Sequence, residues 1–364
     1  MERRKFLQRA AALTAAGAAT ATGTASAADA EKIVWKLPTS FPAKAPGVGT
    51  NVTSFARRVE EMSGGRLSFK IYSSGELVPP FAVEDAVQKG TVEIGHTTPY
   101  YAAGKNPALH FFSTVPFGMN ATEQVAWLRH GGGQKLWDEV NAERGIKSFY
   151  SGNSGTQSAG WFKKEITSVK DLSGLNMRIA GLGGEAMRKL GVNAILLPPP
   201  EIFPSFKSGA IDAAEWVGPL LDQAFGLNKV ANICYVPAFH EPGAALCISV
   251  NLEAWNSLPE DLQHIVEEAA LATSVETLAQ FDYFNVQAFT QLKEQGVDFK
   301  VFPDDVVAAL KQASKEVIDD LAKDNELFKK VYESYQAFLE PATAYANVFG
   351  AEVFRQRSYS GRLD

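Results

Sequence analysis

The residues of this chain best suited to chemistry are one arginine and one acidic–aromatic pair. Arg178 lies in Lys-Asp-Leu-Ser-Gly-Leu-Asn-Met-Arg-Ile-Ala-Gly (170–181), and Glu215-Trp216 lies in Ser-Gly-Ala-Ile-Asp-Ala-Ala-Glu-Trp-Val-Gly-Pro (208–219). Each charge interrupts a run that otherwise reads as buried strand. A buried charge needs a partner, and the planar guanidinium fork matches a carboxylate. Two partners for Arg178 stay open on this reading: Glu215 itself, or the carboxylate of a ligand. Most of what the sequence can say about function depends on which of the two it is.

Enzymatic signals are weak. The chain has five histidines and no Gly-x-Ser-x-Gly, so no nucleophile–base–acid triad is visible. Gly181-Leu182-Gly183-Gly184-Glu185-Ala186 fits a loose dinucleotide spacing, but Glu201, where a ribose-binding acid belongs, follows three prolines. A tight strand-to-helix turn is the plainer reading. The two cysteines, Cys234 and Cys247, form no Cys-x-x-Cys pair and no zinc framework. Both sit in apolar runs, which suits buried thiols; a disulfide between them is the alternative if the chain is exported.

Export is expected from the first residues. Met-Glu-Arg-Arg-Lys-Phe-Leu-Gln-Arg is followed by an Ala-rich run and by Ala25-Ser26-Ala27, so residues 1–27 read as a twin-arginine signal peptide with a small-x-small cleavage site. The run is too short and too Ala/Thr-rich to anchor as a transmembrane helix. The expected location is the periplasm. The whole chain carries net charge −6, and the expected signal segment is basic, so the remainder is more acidic still. That excludes a nucleic-acid partner, which requires a basic face. It does not exclude an anionic ligand, because a buried arginine sets its own local field.

The elements that must position these residues alternate. Val34–Leu37, Leu67–Tyr72 and Val92–Gly95 read as strands, with helical spacing over Val48–Met62 and Phe81–Gln88. This β-α-β-α-β order predicts an α/β lobe over 28–150 on a mostly parallel sheet. A second series predicts another α/β lobe over 151–250. It has strands at 175–180, 194–197 and 211–216 and a helix at 185–190. Beyond Pro259 the pattern turns helical: 260–292, 304–323, and 329–354 with a kink near Pro341. Residues 251–364 are therefore expected to form long connecting and C-terminal helices that complete the first lobe.

At this point the residues resemble a known family, the solute-binding components of tripartite ATP-independent periplasmic (TRAP) transporters. The matching segments are Gly-Glu-Leu-Val-Pro (75–79), Ala-Val-Gln-Lys-Gly-Thr-Val-Glu-Ile-Gly (86–95), Val-Pro-Phe-Gly (115–118), Asp-Leu-Ser-Gly-Leu-Asn-Met-Arg (171–178) and Gly-Ala-Ile-Asp-Ala-Ala-Glu-Trp (209–216). The resemblance covers essentially all of the chain beyond the signal. Trp-Phe-Lys-Lys-Glu-Ile (161–166), Gly131–Gly133 and Glu-Trp-Val-Gly-Pro resemble the branch that binds 2-oxo acids and lactate through a metal ion. The resemblance implies a two-lobed, type II-like periplasmic binding protein fold with long interdomain and C-terminal helices, and no enzymatic activity. It also implies a cleft that closes by a hinge and TRAP membrane permease subunits as partners.

Residue by residue, the resemblance implies that Arg178 pairs with the ligand carboxylate. Glu215, the Trp216 main chain and Gln157 (in 151–157) hold a cation, with Glu241 (in 239–243) a further oxygen ligand. Hard oxygen donors suit Na⁺ or Ca²⁺ rather than zinc or copper. Tyr100, Tyr101 and Asn153 are expected to face the 2-oxo or 2-hydroxy oxygen and the tail, with Phe41 and Phe206 as walls. His240 is expected to be a wall or surface residue. Tyr-Tyr-Ala-Ala-Gly (100–104) has small residues where the 2-oxo acid pattern has more aromatic bulk, which suggests a larger pocket. The apolar stripe Phe338, Leu339, Ala342, Tyr345, Phe349 and Phe354 suggests either a homodimer through the C-terminal helix or packing on the chain's own lobe. A periplasmic ligand sensor would use the same pocket, so that alternative function also stays open.

Overall fold

The computed structural model describes residues 32–323 and 325–358, so the expected signal segment lies outside the described residues. The first lobe begins with β1 (Ile33–Pro38), α1 (Val48–Met62), β2 (Leu67–Tyr72), α2 (Val83–Gln88) and β3 (Ile94–Thr97). Strands β1 and β2 pair in parallel, and a single bridge from Thr39 to His96 joins them to β3. Helices α3 (Ala121–His130) and α4 (Gly133–Ala142) follow, then β4 (Ile146–Asn153). Asn120 and Glu123 form a reciprocal capping box that starts α3, satisfying two otherwise free backbone donors.

The chain then crosses into a second lobe. This contains β5 (Gly160–Phe162), β6 (Asn176–Arg178), α5 (Gly181–Lys189), β7 (Asn193–Ile195), α6 (Pro199–Ser208), β8 (Ala213–Ala214), α7 (Pro219–Ala224) and β9 (Ile233–Tyr235). The proline run that weakened the dinucleotide reading opens α6. Prolines fit the first turn, where the N–H has no intrahelical partner, and Gly209 closes the helix in the left-handed region.

Strand β10 (Ala245–Asn251) returns to the first lobe and pairs antiparallel with both β3 and β4. The segment 151–250 thus contributes to both lobes, and the first sheet is mixed rather than mostly parallel. A strand that re-enters from the other lobe arrives against the direction of those already there, which alternation along the sequence does not reveal. After α8 (Leu252–Ser257) comes α9 (Glu260–Glu294), 35 residues long. Its Thr277 accepts from Asn51 on α1, whose amide also reaches Ser151 O on β4. Eight residues on, Asn285 accepts from Leu220 N of α7. One rigid helix is thereby bonded to both lobes.

The last elements are β11 (Asp298–Lys300), α10 (Asp304–Lys323), α11 (Glu326–Val348) and α12 (Gly350–Arg357). β11 adds an edge to the second sheet, in the order β11-β9-β5-β8-β6-β7, and Lys189 of α5 is paired with Asp320 of α10. α11 packs on the first lobe, where Phe328, Val331 and Tyr335 join Phe111, Phe112, Trp127 and Trp137 in one core that Val317 and Ile318 of α10 also enter. The helix runs through Pro341 and breaks at Phe349 instead. Between the lobes lies an apolar cluster shared by Phe41 and Val48, Trp216 and Phe206, and Phe281 of α9. Cys234 and Cys247 are free and buried, on β9 and β10 of different sheets.

Candidate functional site

Arg178 ends β6 and Glu215 follows β8, its parallel neighbour, so register alone sets them side by side; Glu215 N donates to Arg178 O at 2.9 Å. Both side chains are 1 % exposed, which makes their pairing obligatory. Arg178 Nη1 donates to Glu215 Oε2 at 2.6 Å and to Glu215 O at 2.8 Å, and Nε donates to Leu197 O at 3.3 Å. Nη2 is buried with no partner. Of the two partners the sequence left open, Glu215 takes one arm of the fork and leaves the other free. The guanidinium carbon lies 5.4 Å from the Trp216 ring centroid.

Three buried oxygens near this arm also have no partner: Gln157 Oε1, Glu215 Oε1 and Glu241 Oε1. Gln157 Nε2 is used, donating to Ser154 Oγ at 2.8 Å. Donor atoms of Glu215, His240 and Glu241 lie within 4.8 Å of one another. Burial, reinforced by Glu215, raises the Glu241 carboxyl well above the usual range; Arg178, Tyr100 and Gln157 oppose that shift. Unsatisfied buried oxygens are costly and rare, and a convergent set of them is a fit for a hard cation.

His240 was expected to be a wall or surface residue; it is 1 % exposed, and neither ring nitrogen has a partner. Nε2 stands 3.7 Å from Glu215 Oε1. The His240 ring packs on α5 where residue 183 is glycine, and a Cβ there would collide with it. The Gly181–Ala186 spacing therefore serves close packing. No sequence signal separated His240 from an ordinary buried histidine.

The tyrosines come from the first lobe. Tyr100 packs beside Gly181, and its phenol is held well above the usual range by burial and by Glu241. Tyr101 is raised by burial while Arg178 opposes the shift, so both rings face the charged cluster. Phe41 lies 6.1 Å and Phe81 4.7 Å from the Tyr101 ring. Ala102 and Ala103 point elsewhere, packed in the core with Leu109 and Phe112, so these small residues do not enlarge the cleft. Asn153 is engaged on both sides: Oδ1 accepts from Gly155 N at 2.9 Å and Nδ2 donates to Gln124 Oε1 at 3.2 Å. The structure does not bring it into the cluster of unpartnered oxygens.

Asp222 was not singled out in the sequence. It is fully buried on α7, accepting from Trp161 Nε1 at 2.8 Å and Val217 N at 3.1 Å, and so fixes the turn that carries Trp216. Burial pushes its carboxyl up to about 7. A lone acid among leucines on a short helix gives no sequence signal of this role.

Two lobes around an enclosed cluster of one free guanidinium arm and three free oxygens define an anion receptor with an interlobe site. The comparisons agree. Residues 40–325 match the bacterial extracellular solute-binding proteins, family 7, and the chain belongs to that family. Its members are solute-binding receptors, not enzymes. The chain is 44 % identical over 352 residues, 96 % of each chain, to a monocarboxylate 2-oxoacid-binding periplasmic protein of a Nostoc species. Two solved TRAP periplasmic solute-binding proteins are similar to it, each with a TM-score of 0.87. That of Colwellia psychrerythraea, with bound calcium and pyruvate, is 38 % identical and covers 90 % of this chain and 100 % of its own. That of Pseudoalteromonas atlantica, with bound sodium and pyruvate, is 35 % identical over 89 % and 99 %.

Proposed function

We propose that this receptor captures a small 2-oxo or 2-hydroxy monocarboxylate, such as pyruvate or lactate, together with a cation, and hands it to TRAP membrane permease subunits. The observation that carries the reading is the buried set of unpartnered atoms: Arg178 Nη2 beside Gln157 Oε1, Glu215 Oε1 and Glu241 Oε1. Arg178 takes one side of the ligand carboxylate. Gln157, Glu215 and Glu241, with the Trp216 main chain, hold Na⁺ or Ca²⁺ against the other side. The cation supplies charge that lets two buried acids and an anionic ligand share one dry site. Tyr100 and Tyr101 close over it from the first lobe. Asn153 positions the start of the interlobe crossover. Relatives bound to pyruvate with calcium or sodium support the reading. Calorimetry with a panel of 2-oxo and 2-hydroxy acids, with and without chelator in sodium-free buffer, tests it. Micromolar binding of at least one acid that disappears with chelator is expected; cation-independent binding overturns it.

The receptor acts in the periplasm, reached by the twin-arginine route through residues 1–27. Its C-terminal helices also carry a dimer reading. Tyr345, Val348, Phe349, Val353 and Phe354 are each more than half exposed, as are Val275, Tyr283 and Val286 on α9. Two exposed apolar faces on one chain favour a second copy as the occupant of both. Truncation after Glu340 is expected to halve the solution mass measured by light scattering; an unchanged mass rejects this interface.

A further inference from the structure

Two of the three unpartnered oxygens, those of Gln157 and Glu241, sit on segments that join the lobes. Two passages of the chain between the lobes are short loops, at 154–159 between β4 and β5 and at 236–244 between β9 and β10; the later ones run through helices. Gln157 lies on the first crossover, and His240 and Glu241 lie on the second. The two are zipped together at each end. Toward the first lobe, Ser154 N donates to Ala244 O at 3.0 Å and Ala244 N to Ser154 Oγ at 3.2 Å. Toward the second, Ala238 N donates to Gln157 O at 2.8 Å and Ala159 N to Tyr235 O at 2.7 Å. The second crossover is also tied to the segment before α3: Phe117 N donates to Phe239 O at 2.7 Å, and Thr114 Oγ1 to His240 O at 3.3 Å. Phe117 makes its bond from a left-handed φ of 56°, a conformation an aromatic residue holds only when its surroundings impose it.

We propose that Gln157 and Glu241, one from each crossover, close with Glu215 of the second lobe on a single cation, so that cation occupancy sets the hinge and precedes carboxylate binding. This rests on the cation-assisted reading above and adds an order to it. In this form donor atoms of Glu215 and Glu241 lie within 4.8 Å of each other out of water, each residue has an unpartnered oxygen, and the arginine beside them is already bonded to Glu215. Opening the lobes readmits water to these oxygens, which the dry site leaves unsatisfied. A ligand carboxylate entering without the cation adds more acceptors to a site already short of donors. A cation that binds only where the donors converge draws the equilibrium toward closure by its preference for that form. With the cation held, Arg178 Nη2 remains to receive the ligand.

The test uses chain stripped with chelator in sodium-free buffer and the probes Ca²⁺ alone, pyruvate alone and both. Small-angle scattering reads the radius of gyration, hydrogen–deuterium exchange reads residues 154–159 and 236–244, and calorimetry runs in parallel. Ca²⁺ alone is expected to compact the protein nearly as far as both probes together and to protect both crossovers; pyruvate alone does neither. In Gln157→Ala, with an unchanged circular dichroism spectrum, Ca²⁺ is expected to bind roughly ten- to a hundredfold more weakly, and bound Ca²⁺ no longer protects 154–159. Heat of Ca²⁺ binding without compaction or protection until pyruvate is added overturns the ordered hinge but leaves the cation-assisted reading intact. Pyruvate binding that ignores the cation overturns both.

Discussion

The proposed function gives Arg178 two jobs in one side chain, and substitution can separate them. Nη1 neutralises a carboxylate that is 1 % exposed, and Nη2 is free for a ligand. Arg178→Ala removes both. Glu215 is then left buried with only His240 Nε2 at 3.7 Å, and breaking such a pair costs roughly 3–5 kcal/mol of stability. Loss of one partner of a buried charge pair costs roughly 2–5 kcal/mol of affinity. Taking about 3 kcal/mol, pyruvate binding weakens by about two orders of magnitude. Arg178→Lys is the sharper perturbation. An ammonium can neutralise Glu215, so the fold is expected to lose at most about 1.5 kcal/mol, yet a point charge cannot fork between Glu215 and a second carboxylate. Most of the affinity is therefore lost in the lysine variant as well. Urea midpoints give the stability and calorimetry in the presence of Ca²⁺ gives the affinity. If Arg178→Lys binds pyruvate within about threefold of the parent, Arg178 serves Glu215 alone and the ligand role is wrong.

Charge also bears on the ion. A cation that holds Glu215 and Glu241 as carboxylates faces, with the ligand carboxylate, three negative charges against one arginine, so a divalent ion is the neutral solution and Ca²⁺ is expected to outcompete Na⁺ for the stripped protein in the presence of pyruvate. A competition titration that shows equal occupancy at equal concentration contradicts this. Asp222 links the site to pH through the fold. Its carboxyl, raised to about 7, binds its proton more tightly folded than unfolded, so its contribution is fully present below about 4 and lost as pH rises toward 7. The loss across that window has an upper scale on the order of 4 kcal/mol. Asp222→Asn does not titrate, so its urea midpoint is expected to gain on the parent's between pH 4 and pH 8; parallel profiles contradict the assignment.

Local pattern in the sequence located the helices well. The apolar spacing of 48–62 and 304–323 gives the helices seen at those positions, and 67–72 the strand. Each signal there is local: periodicity, a flanking glycine or acids in the first turn. Sheet partnership was less legible. Nothing in Ala245–Asn251 announces that it leaves the lobe preceding it to pair with β3 and β4, because strand pairing is decided by packing across the whole chain. The site divides the same way. Arg178 and Glu215 stand out because a charge in a strand-like run is locally anomalous. His240 and Asp222 do not stand out, because their significance is an absence or surplus of partners that only the folded chain defines.

The same distinction explains why the cluster sits where the lobes join. Arg178 and Glu215 are brought together by adjacent strands of one sheet, an arrangement that persists when the lobes separate. Gln157 and Glu241 belong to the two crossovers, and Tyr100 and Tyr101 to the opposite lobe. On the proposed function the carboxylate anchor is thus built into a rigid sheet, while the remaining donors reach it only through hinge geometry. A receptor made this way keeps one fixed point of recognition in every state. It completes the rest of the site only when closed, so closure and recognition share one set of residues. Substitutions at Arg178 should consequently weaken ligand capture in any state. Substitutions at Gln157 should act mainly by changing how often the closed state forms.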